Sequence, residues 1–157
     1  MVASPGDPGH GVALKDLVEV PRIDIAYAGS CTGGKREDLV RVHEVVRWAL
    51  DHGRRLPIHV QFFIQFGSED VRRYAAQQGW ISAFEEAGAR ILGPGCGACI
   101  NAGPGVSTRA EQVTVSAVNR NFPGRSGPGK VWLASPATVA ASAFAGYLCS
   151  FEDLRAQ

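Results

Sequence analysis

The sequence predicts an α/β domain in three layers, with helices on both sides of a mostly parallel sheet. Short β-prone runs alternate along the chain with segments of helical periodicity, and this alternation is typical of parallel sheets with crossover helices. The chain has 157 residues, of which 45 % are hydrophobic and 20 % are charged. This length and composition favour one domain with a substantial core.

The first part of the chain is predicted to contain two strands and three helices. A first strand is expected over Ile23–Ala28, and a helix over Arg36–His52, because apolar residues recur there at helical spacing. A buried second strand is expected over Ile58–Phe66. Two more helices follow, one beginning after Ser68, a favourable N-cap residue, and one over Trp80–Ala87.

The remainder of the chain is predicted to contain three strands and one helix. A short strand over 89–92 leads into a glycine-rich turn, and further strands are expected over 112–116 and 131–134. Ser135 is followed by proline, which is favourable at the first position of a helix. The small apolar residues of 137–145 therefore predict a buried helix.

Residues 1–12 are predicted to form a flexible tail outside the domain, which would then comprise residues 13–157. The segment contains prolines and glycines and lacks any periodicity. Such a composition does not favour a regular element.

Charge and cysteine content restrict the classes of function. The formal net charge of +1 gives no general attraction to nucleic acid or to a membrane surface. The first residues lack the apolar stretch of a signal peptide, and no apolar run is long enough to span a bilayer. The expected location is the reducing cytoplasm, where a Cys-x-x-Cys motif is more often a metal or redox motif than a disulfide.

Three cysteines follow predicted strands at their carboxyl ends. Cys96 and Cys99 lie in a glycine-rich turn after the strand over 89–92, and Cys31 follows the first strand in a similar turn. The carboxyl ends of parallel strands lie along one edge of a sheet, and ligands bind there. The sequence therefore predicts that the three thiols belong to one site.

The chemistry of this site has three interpretations. A structural zinc ion would need a fourth ligand, but Cys149 follows a buried helix and is predicted to be a core residue. A redox pair formed by Cys96 and Cys99 would leave Cys31 unexplained. Three thiolates without a fourth suit an iron–sulfur cluster with one open iron, which could bind a substrate hydroxyl or carboxylate.

A basic loop after the strand over 112–116 contains candidate substrate ligands. On composition alone Arg120 and Arg125 would be solvated surface residues, but their position after a strand end places them at the predicted site. A guanidinium pairs with a carboxylate through two hydrogen bonds, which suits recognition of a di- or tricarboxylate. Lys35, close to Cys31 in the sequence, could add a point charge.

Four stretches of the chain resemble motifs of the aconitase superfamily, in particular the C-terminal part of the isopropylmalate dehydratase large subunit. They are Gly29-Ser30-Cys31-Thr32 with Glu37-Asp38-Leu39, Pro94-Gly95-Cys96-Gly97-Ala98-Cys99, Asn119-Arg120-Asn121-Phe122 with Gly124-Arg125, and Ser135-Pro136-Ala137 with the helix after it. Together the motifs cover residues 22–150, nearly the whole chain.

The resemblance implies an aconitase-like domain that holds a [4Fe-4S] cluster. Its implied ligands are Cys31, Cys96 and Cys99. In the family, the open iron binds the hydroxyl and a carboxylate of a hydroxy acid, and dehydration followed by rehydration moves the hydroxyl by one carbon. The resemblance further implies that Arg120 and Arg125 contact substrate carboxylates and that Asn119 and Ser116 lie near the cluster.

The chain departs from the family in two respects. Gly33-Gly34-Lys35 stands where the family commonly has Asn-Ser-Arg, which removes polar side chains near the implied cluster. The family's large subunit is also much longer, and its acid and base groups lie outside the part that this chain resembles, so no catalytic residue is assigned here.

We therefore expect the cluster-carrying subunit of a split hydro-lyase, acting on an alkylmalate-like hydroxy acid, with partner chains that supply the missing domains. The alternative is a non-catalytic iron–sulfur or zinc-binding module with an assembly or regulatory role.

Overall fold

The computed structural model describes residues 1–157 as a seven-stranded sheet with five α-helices and two short 3-10 helices. The strands are β1 (Val2–Ala3), β2 (Gly11–Val12), β3 (Ile25–Gly29), β4 (Gln61–Gln65), β5 (Arg90–Leu92), β6 (Val113–Ser116) and β7 (Lys130–Leu133). The helices are α1 (Arg36–Asp51), α2 (Glu69–Gln77), α3 (Trp80–Glu86), α4 (Pro136–Ala145) and α5 (Phe151–Arg155), and the 3-10 helices are Leu14–Asp16 and Gly97–Ile100.

The sheet is mostly parallel, which confirms the predicted α/β class. Its order is β2-β1-β7-β6-β3-β4-β5, and every pair from β7 to β5 is parallel. The chain runs from β3 outward through β4 to β5, and then returns to β6 on the other side of β3. Connections that leave β3 and β6 therefore diverge, which opens a crevice at the carboxyl ends of these two strands.

Both faces of the sheet are covered. One face carries the α-helices, and strand residues such as Ala26, Phe62 and Ile64 pack there in a core cluster of 28 buried residues. The other face is covered by the 3-10 helix Gly97–Ile100 and the adjoining loops, where Tyr27 contributes to a cluster of six buried residues. The smaller cluster lies directly beneath the loop that carries Cys96 and Cys99.

Serine residues begin three of the α-helices in the same way. The hydroxyl groups of Ser68, Ser135 and Ser150 each accept a hydrogen bond from the backbone N–H three residues later, at 3.1–3.3 Å. Each bond satisfies one of the free N–H groups at the start of a helix. The first two caps confirm the predicted starts of α2 and α4, whereas the sequence does not predict α5.

No helix is both long enough and apolar enough to cross a bilayer.

The segment 1–12 differs from the flexible tail that the sequence predicts. Ala3 of β1 pairs with Leu133 of β7, β2 pairs antiparallel with β1, and the Val2 side chain is only 3 % exposed. The amide of Asn121 donates to the backbone oxygen of Ser4 at 2.7 Å. Two-residue strands are too short to produce a periodic pattern, so partners distant in sequence determine this structure. The boundary at residue 13 stays a prediction.

Core packing can be tested by truncating one isoleucine of β4. Ile64 is fully buried, so Ile64→Ala should lower the free energy of unfolding by about 2–5 kcal/mol, through lost transfer energy and a residual cavity. The control is Ile58→Ala, because Ile58 is fully exposed and should change stability by less than about 0.5 kcal/mol. Urea denaturation measures both, and equal losses would contradict this packing.

Candidate functional site

Three loops leave the same carboxyl edge of the sheet. They are 30–35 after β3, 93–101 after β5 and 117–125 after β6, and we call them the Cys31 loop, the Cys96 loop and the arginine loop. The ladder places Gly29 opposite Gln65, and Gln65 opposite Leu92. Cys31 and the turn of Cys96 therefore emerge from one row of the sheet, as predicted.

The Cys31 loop begins with a strained residue. Ser30 has a φ of 127°, in the left-handed region that non-glycine residues rarely occupy. Its hydroxyl accepts hydrogen bonds from the N–H groups of Gly33 at 3.0 Å and Thr32 at 3.3 Å. Ser30 is buried, whereas the adjoining Cys31 is exposed. The hydrogen-bonded turn thus holds a conformation that alone would be unfavourable, and it presents Cys31 at the surface.

Two glycines allow the Cys31 loop to approach its neighbours. A Cβ on Gly33 would lie 2.4 Å from the backbone oxygen of Ala117 in the arginine loop. A Cβ on Gly34 would lie 2.5 Å from the oxygen of Ser30 and 2.7 Å from the nitrogen of Gly67. Such distances leave no room for a side chain. Gly33 and Gly34 stand where the family commonly has residues with side chains. Their lack of a side chain allows the backbone of the Cys31 loop to contact its neighbours closely.

The Cys96 loop turns through the 3-10 helix and is held by the arginine loop. The Cys99 N–H donates to the Cys96 oxygen at 3.1 Å, which closes the turn. Ser126, which follows the arginine loop, donates its hydroxyl hydrogen to the Ala98 oxygen at 2.7 Å. Cys96 is exposed, whereas Cys99 is buried.

Cys99 is in contact with two of the predicted site residues. The Arg125 guanidinium donates through Nη2 to the Cys99 sulfur at 3.3 Å, and the thiol lies 3.8 Å from Oδ1 of Asn119. Nε of Arg125 is buried and has no hydrogen-bond partner. The Arg125 guanidinium therefore lies directly against one of the thiols at this edge. Arg125 also retains a free donor for a further acceptor.

Tyr27 and Gln65 are polar residues at the site that the sequence analysis missed. The Tyr27 hydroxyl donates to Oε1 of Gln65 at 2.7 Å, and Nε2 of Gln65 donates to the oxygen of Gly93 at 3.2 Å. Burial raises the pKa of Tyr27 to about 12, against an opposing effect of backbone hydrogen bonding with Ala98. The hydroxyl therefore remains a donor at neutral pH. The sequence signal that could have identified Gln65 is the presence of a glutamine within the apolar run of β4.

The other predicted residues are less closely connected. Ser116 is buried, and its hydroxyl accepts from the Val118 N–H at 3.2 Å, which places it under the arginine loop. Arg120 and Lys35 are exposed, and their side chains form no hydrogen bond or ion pair. The structure thus brings Cys99, Asn119 and Arg125 together, and it leaves Arg120 and Lys35 free at the same edge.

Free thiols are the potential metal ligands at this edge of the sheet. No group of three or more His, Cys, Asp or Glu side chains lies close enough to hold one metal ion. A cluster spreads its ligands over several irons, so its thiolates need not converge on one point. All four cysteines are free, two of the three at this edge are exposed, and the third has a guanidinium beside it. Thiolates are the usual ligands of iron–sulfur clusters, so the chemical type of these donors is compatible with such a group.

Cys149 lies away from this edge and is a core residue, as predicted. It is 3 % exposed in the main core, and its thiol donates to the Ser150 oxygen at 3.2 Å. Burial, with a smaller effect of the Asp153 carboxylate, raises the pKa of the Cys149 thiol to about 11. A group that stays protonated and buried is a poor metal ligand.

The fold and the site define a class: a parallel α/β domain with three free thiols and an arginine at the carboxyl edge of its sheet. The family model described as the aconitase family (aconitate hydratase) matches residues 9–146. The chain belongs to the aconitase family. Membership of this family implies an iron–sulfur cluster in general terms.

Several relatives at substantial identity are named as large subunits. The chain is 41 % identical to the homoaconitase large subunit of Thermus thermophilus, over 94 % of this chain and 34 % of the relative. It is 37 % identical to the 3-isopropylmalate dehydratase large subunit of Mycolicibacterium smegmatis, over 99 % of this chain and 36 % of the relative. A second dehydratase large subunit, from Salmonella typhimurium, is 40 % identical over 92 % of this chain and 28 % of the relative. The chain thus spans about a third of the length of these relatives.

The buried thiol of Cys149 predicts an alkaline effect on stability. An ordinary thiol ionises near pH 9, whereas the folded Cys149 ionises near pH 11. The unfolded chain therefore releases this proton first, and stability should fall as pH rises from about 9 to about 11. Cys149→Ala should show a shallower fall in urea-denaturation midpoints over this window, whatever its stability at neutral pH. Parallel pH profiles for the two proteins would contradict the assignment.

Proposed function

We propose that this chain is the cluster-carrying part of a [4Fe-4S]-dependent hydro-lyase that dehydrates and rehydrates a hydroxy di- or tricarboxylic acid. The observation that carries the proposal is the contact of Arg125 with Cys99, at the edge from which Cys31 and Cys96 also emerge. At this edge a cationic donor lies next to a thiol that we propose as a cluster ligand. A substrate carboxylate near the cluster requires such a donor.

The proposed cluster ligands are Cys31, Cys96 and Cys99. Two of them are exposed and the third is held in a closed turn, so the set lies on the surface of the domain. With three protein ligands, a [4Fe-4S] cluster would supply one iron as a Lewis acid for a substrate hydroxyl. The chain's own role would be to hold these ligands, with the Arg125 guanidinium against the Cys99 sulfur.

The substrate-binding residues that we propose on this chain form two groups, one against Cys99 and one exposed at the rim of the site. Arg125 and Asn119 lie against Cys99 and would position groups next to the cluster. Arg120 and Lys35 are exposed and unpaired, so they are available to a carboxylate at the outer rim of the site. Ser116 would support the arginine loop from below through its bond to Val118. None of these residues is assigned as a general acid or base.

Additional domains are proposed to complete the catalyst. The relatives are named large subunits, and this chain spans about a third of their length. We propose that the remaining domains, on partner chains, cover the carboxyl edge and supply proton-transfer groups. An alkylmalate-like acid is the proposed substrate class, in line with the dehydratase names of the relatives. The proposed compartment is the cytoplasm, where free thiols persist.

The alternative is a module without catalytic activity that binds an iron–sulfur cluster or zinc and acts in assembly or regulation. Its support is the exposure of Cys31 and Cys96, which leaves both thiols accessible to a metal or to a partner protein. Metal analysis of the purified chain separates the zinc form of this alternative from the main proposal. Zinc without acid-labile sulfide would favour the alternative.

Cluster binding can be tested by comparing a cysteine variant at the proposed site with a cysteine variant in the core. After anoxic reconstitution with iron and sulfide, Cys96→Ser should lose most of the iron, sulfide and visible absorbance found in the unaltered chain. Cys149→Ser is the matched control and should load normally, because Cys149 lies in the core away from the loops. Equal loading of both variants would contradict the assignment of Cys96.

The role of Arg120 can be tested without turnover. An exposed guanidinium that pairs with a substrate carboxylate contributes about 1.5–3 kcal/mol, so Arg120→Ala should weaken binding of a hydroxy dicarboxylate at least ~10-fold. Binding is followed through the change that the acid causes in the EPR spectrum of the loaded, reduced chain. Arg55→Ala, at the opposite edge near the start of β4, is the control and should bind normally. An unchanged affinity in Arg120→Ala would remove Arg120 from the site.

A further inference from the structure

We propose that Tyr27 and Gln65 form a positioning pair that holds the turn of Cys96 and Cys99 in a conformation able to bind a cluster. The inference rests on the proposed function, because it assigns a task to residues beside the proposed ligands. Neither residue contacts a substrate or reacting atom in this proposal. Their role is to fix where the sulfur ligands lie.

The pair connects two neighbouring strands to the Cys96 loop. Tyr27 lies in β3 and Gln65 is the last residue of β4, and the two side chains are 1 % and 3 % exposed. The Tyr27 hydroxyl donates to Gln65 at 2.7 Å, which orients the glutamine amide. The amide nitrogen then donates to the oxygen of Gly93 at 3.2 Å, at the start of the Cys96 loop. One continuous hydrogen-bonded chain thus runs from the sheet to this loop.

The 3-10 turn itself rests on the same two side chains. A Cβ on Gly97 would lie 2.8 Å from the Tyr27 hydroxyl oxygen and 3.1 Å from Nε2 of Gln65. Gly97 lies between Cys96 and Cys99 and has a φ of +49°. The backbone between the two cysteines therefore contacts the pair directly. A displaced Tyr27 or Gln65 would allow both cysteines to move with the turn.

Gln65 also contacts the loop that carries the third cysteine. Its backbone pairs with Gly29 in the ladder, and its oxygen lies 2.8 Å from the position that a Cβ on Gly34 would occupy. The backbone of Gln65 therefore packs against the Cys31 loop, while its side chain supports the Cys96 loop. Gln65 therefore contacts both of the loops from which the three thiols emerge.

Stability alone does not require a polar pair at this place. Replacement of both members of a buried hydrogen bond by apolar groups of the same shape can be nearly neutral, whereas removal of one member leaves the other unsatisfied. Phenylalanine and leucine match the shapes of tyrosine and glutamine closely. A protein with phenylalanine at position 27 and leucine at position 65 would still pack under the turn. It would lose the directional hydrogen bonds to Gly93 and Gln65 that orient the turn.

The test is the double variant Tyr27→Phe/Gln65→Leu, examined first without a cluster. Alkylation of Cys99 by iodoacetamide, followed by mass spectrometry, reports how often the buried turn opens, since Cys99 is 8 % exposed. We expect alkylation of Cys99 to be several-fold faster than in the unaltered chain, with a closely similar urea-denaturation midpoint. After loading, iron loss to a chelator should accelerate to a similar degree.

Thr114→Val is the matched control, because Thr114 is buried in β6 and its hydroxyl has no hydrogen-bond partner. It should leave both rates unchanged. Unchanged alkylation and unchanged iron loss in a folded double variant would overturn the inference. If the double variant does not fold, Tyr27→Phe alone supplies the comparison, since it deletes only the hydroxyl. If the unaltered chain binds no cluster, the proposed function fails, and the alkylation rates still decide whether the pair orders the turn.

Discussion

The parallel pairing of β3 with β4 on one side and β6 on the other is the constraint on which the site depends. It brings the ends of three strands to one edge, so that loops distant in sequence become neighbours. Backbone contacts at Gly33 and Gly34 then press the Cys31 loop against both of its neighbours. Because these contacts are between backbones, the sheet fixes the Cys31 loop against its neighbours, whereas the buried side chains of Tyr27 and Gln65 support the Cys96 loop.

Electrostatics at this edge favour anions. Arg125 donates to Cys99 and keeps a buried Nε free, while Arg120 and Lys35 stand unpaired nearby. The overall charge of the chain is +1, so this local concentration of cations is not part of a general basic surface. Ser30 adds a strained backbone next to Cys31, which the surrounding hydrogen bonds maintain. Strain of this kind persists where the surrounding structure over-determines it, and it clusters at functional sites.

Much of the fold could be predicted from the sequence. The five parallel strands and the helices α1 to α4 follow from periodicity and from cap residues such as Ser68 and Ser135. The strands β1 and β2 could not be predicted in this way, because each has only two residues and β1 pairs with β7, more than a hundred residues later. For α5 a cap residue was present, but five residues carry little periodic signal.

Only part of the candidate site could be predicted, again because some of its contacts join residues that are distant in the sequence. Cysteine spacing and the position of the arginine loop after a strand identified the edge, because both are local features of the sequence. The Tyr27–Gln65 bond joins residues 38 positions apart, and no local pattern indicates it. Burial also separates residues that the sequence treats as equivalent: Arg125 contacts Cys99, whereas Arg120 is exposed.

We propose that the three thiols on this edge hold a cluster with one iron that has no protein ligand. Mössbauer spectroscopy of the chain reconstituted under anoxia tests it most directly. The account predicts one iron site distinct from the others, whose signal shifts when a hydroxy dicarboxylate is added and which is lost first on brief oxidation. A cluster in which all irons are equivalent and none responds to the acid would contradict the account.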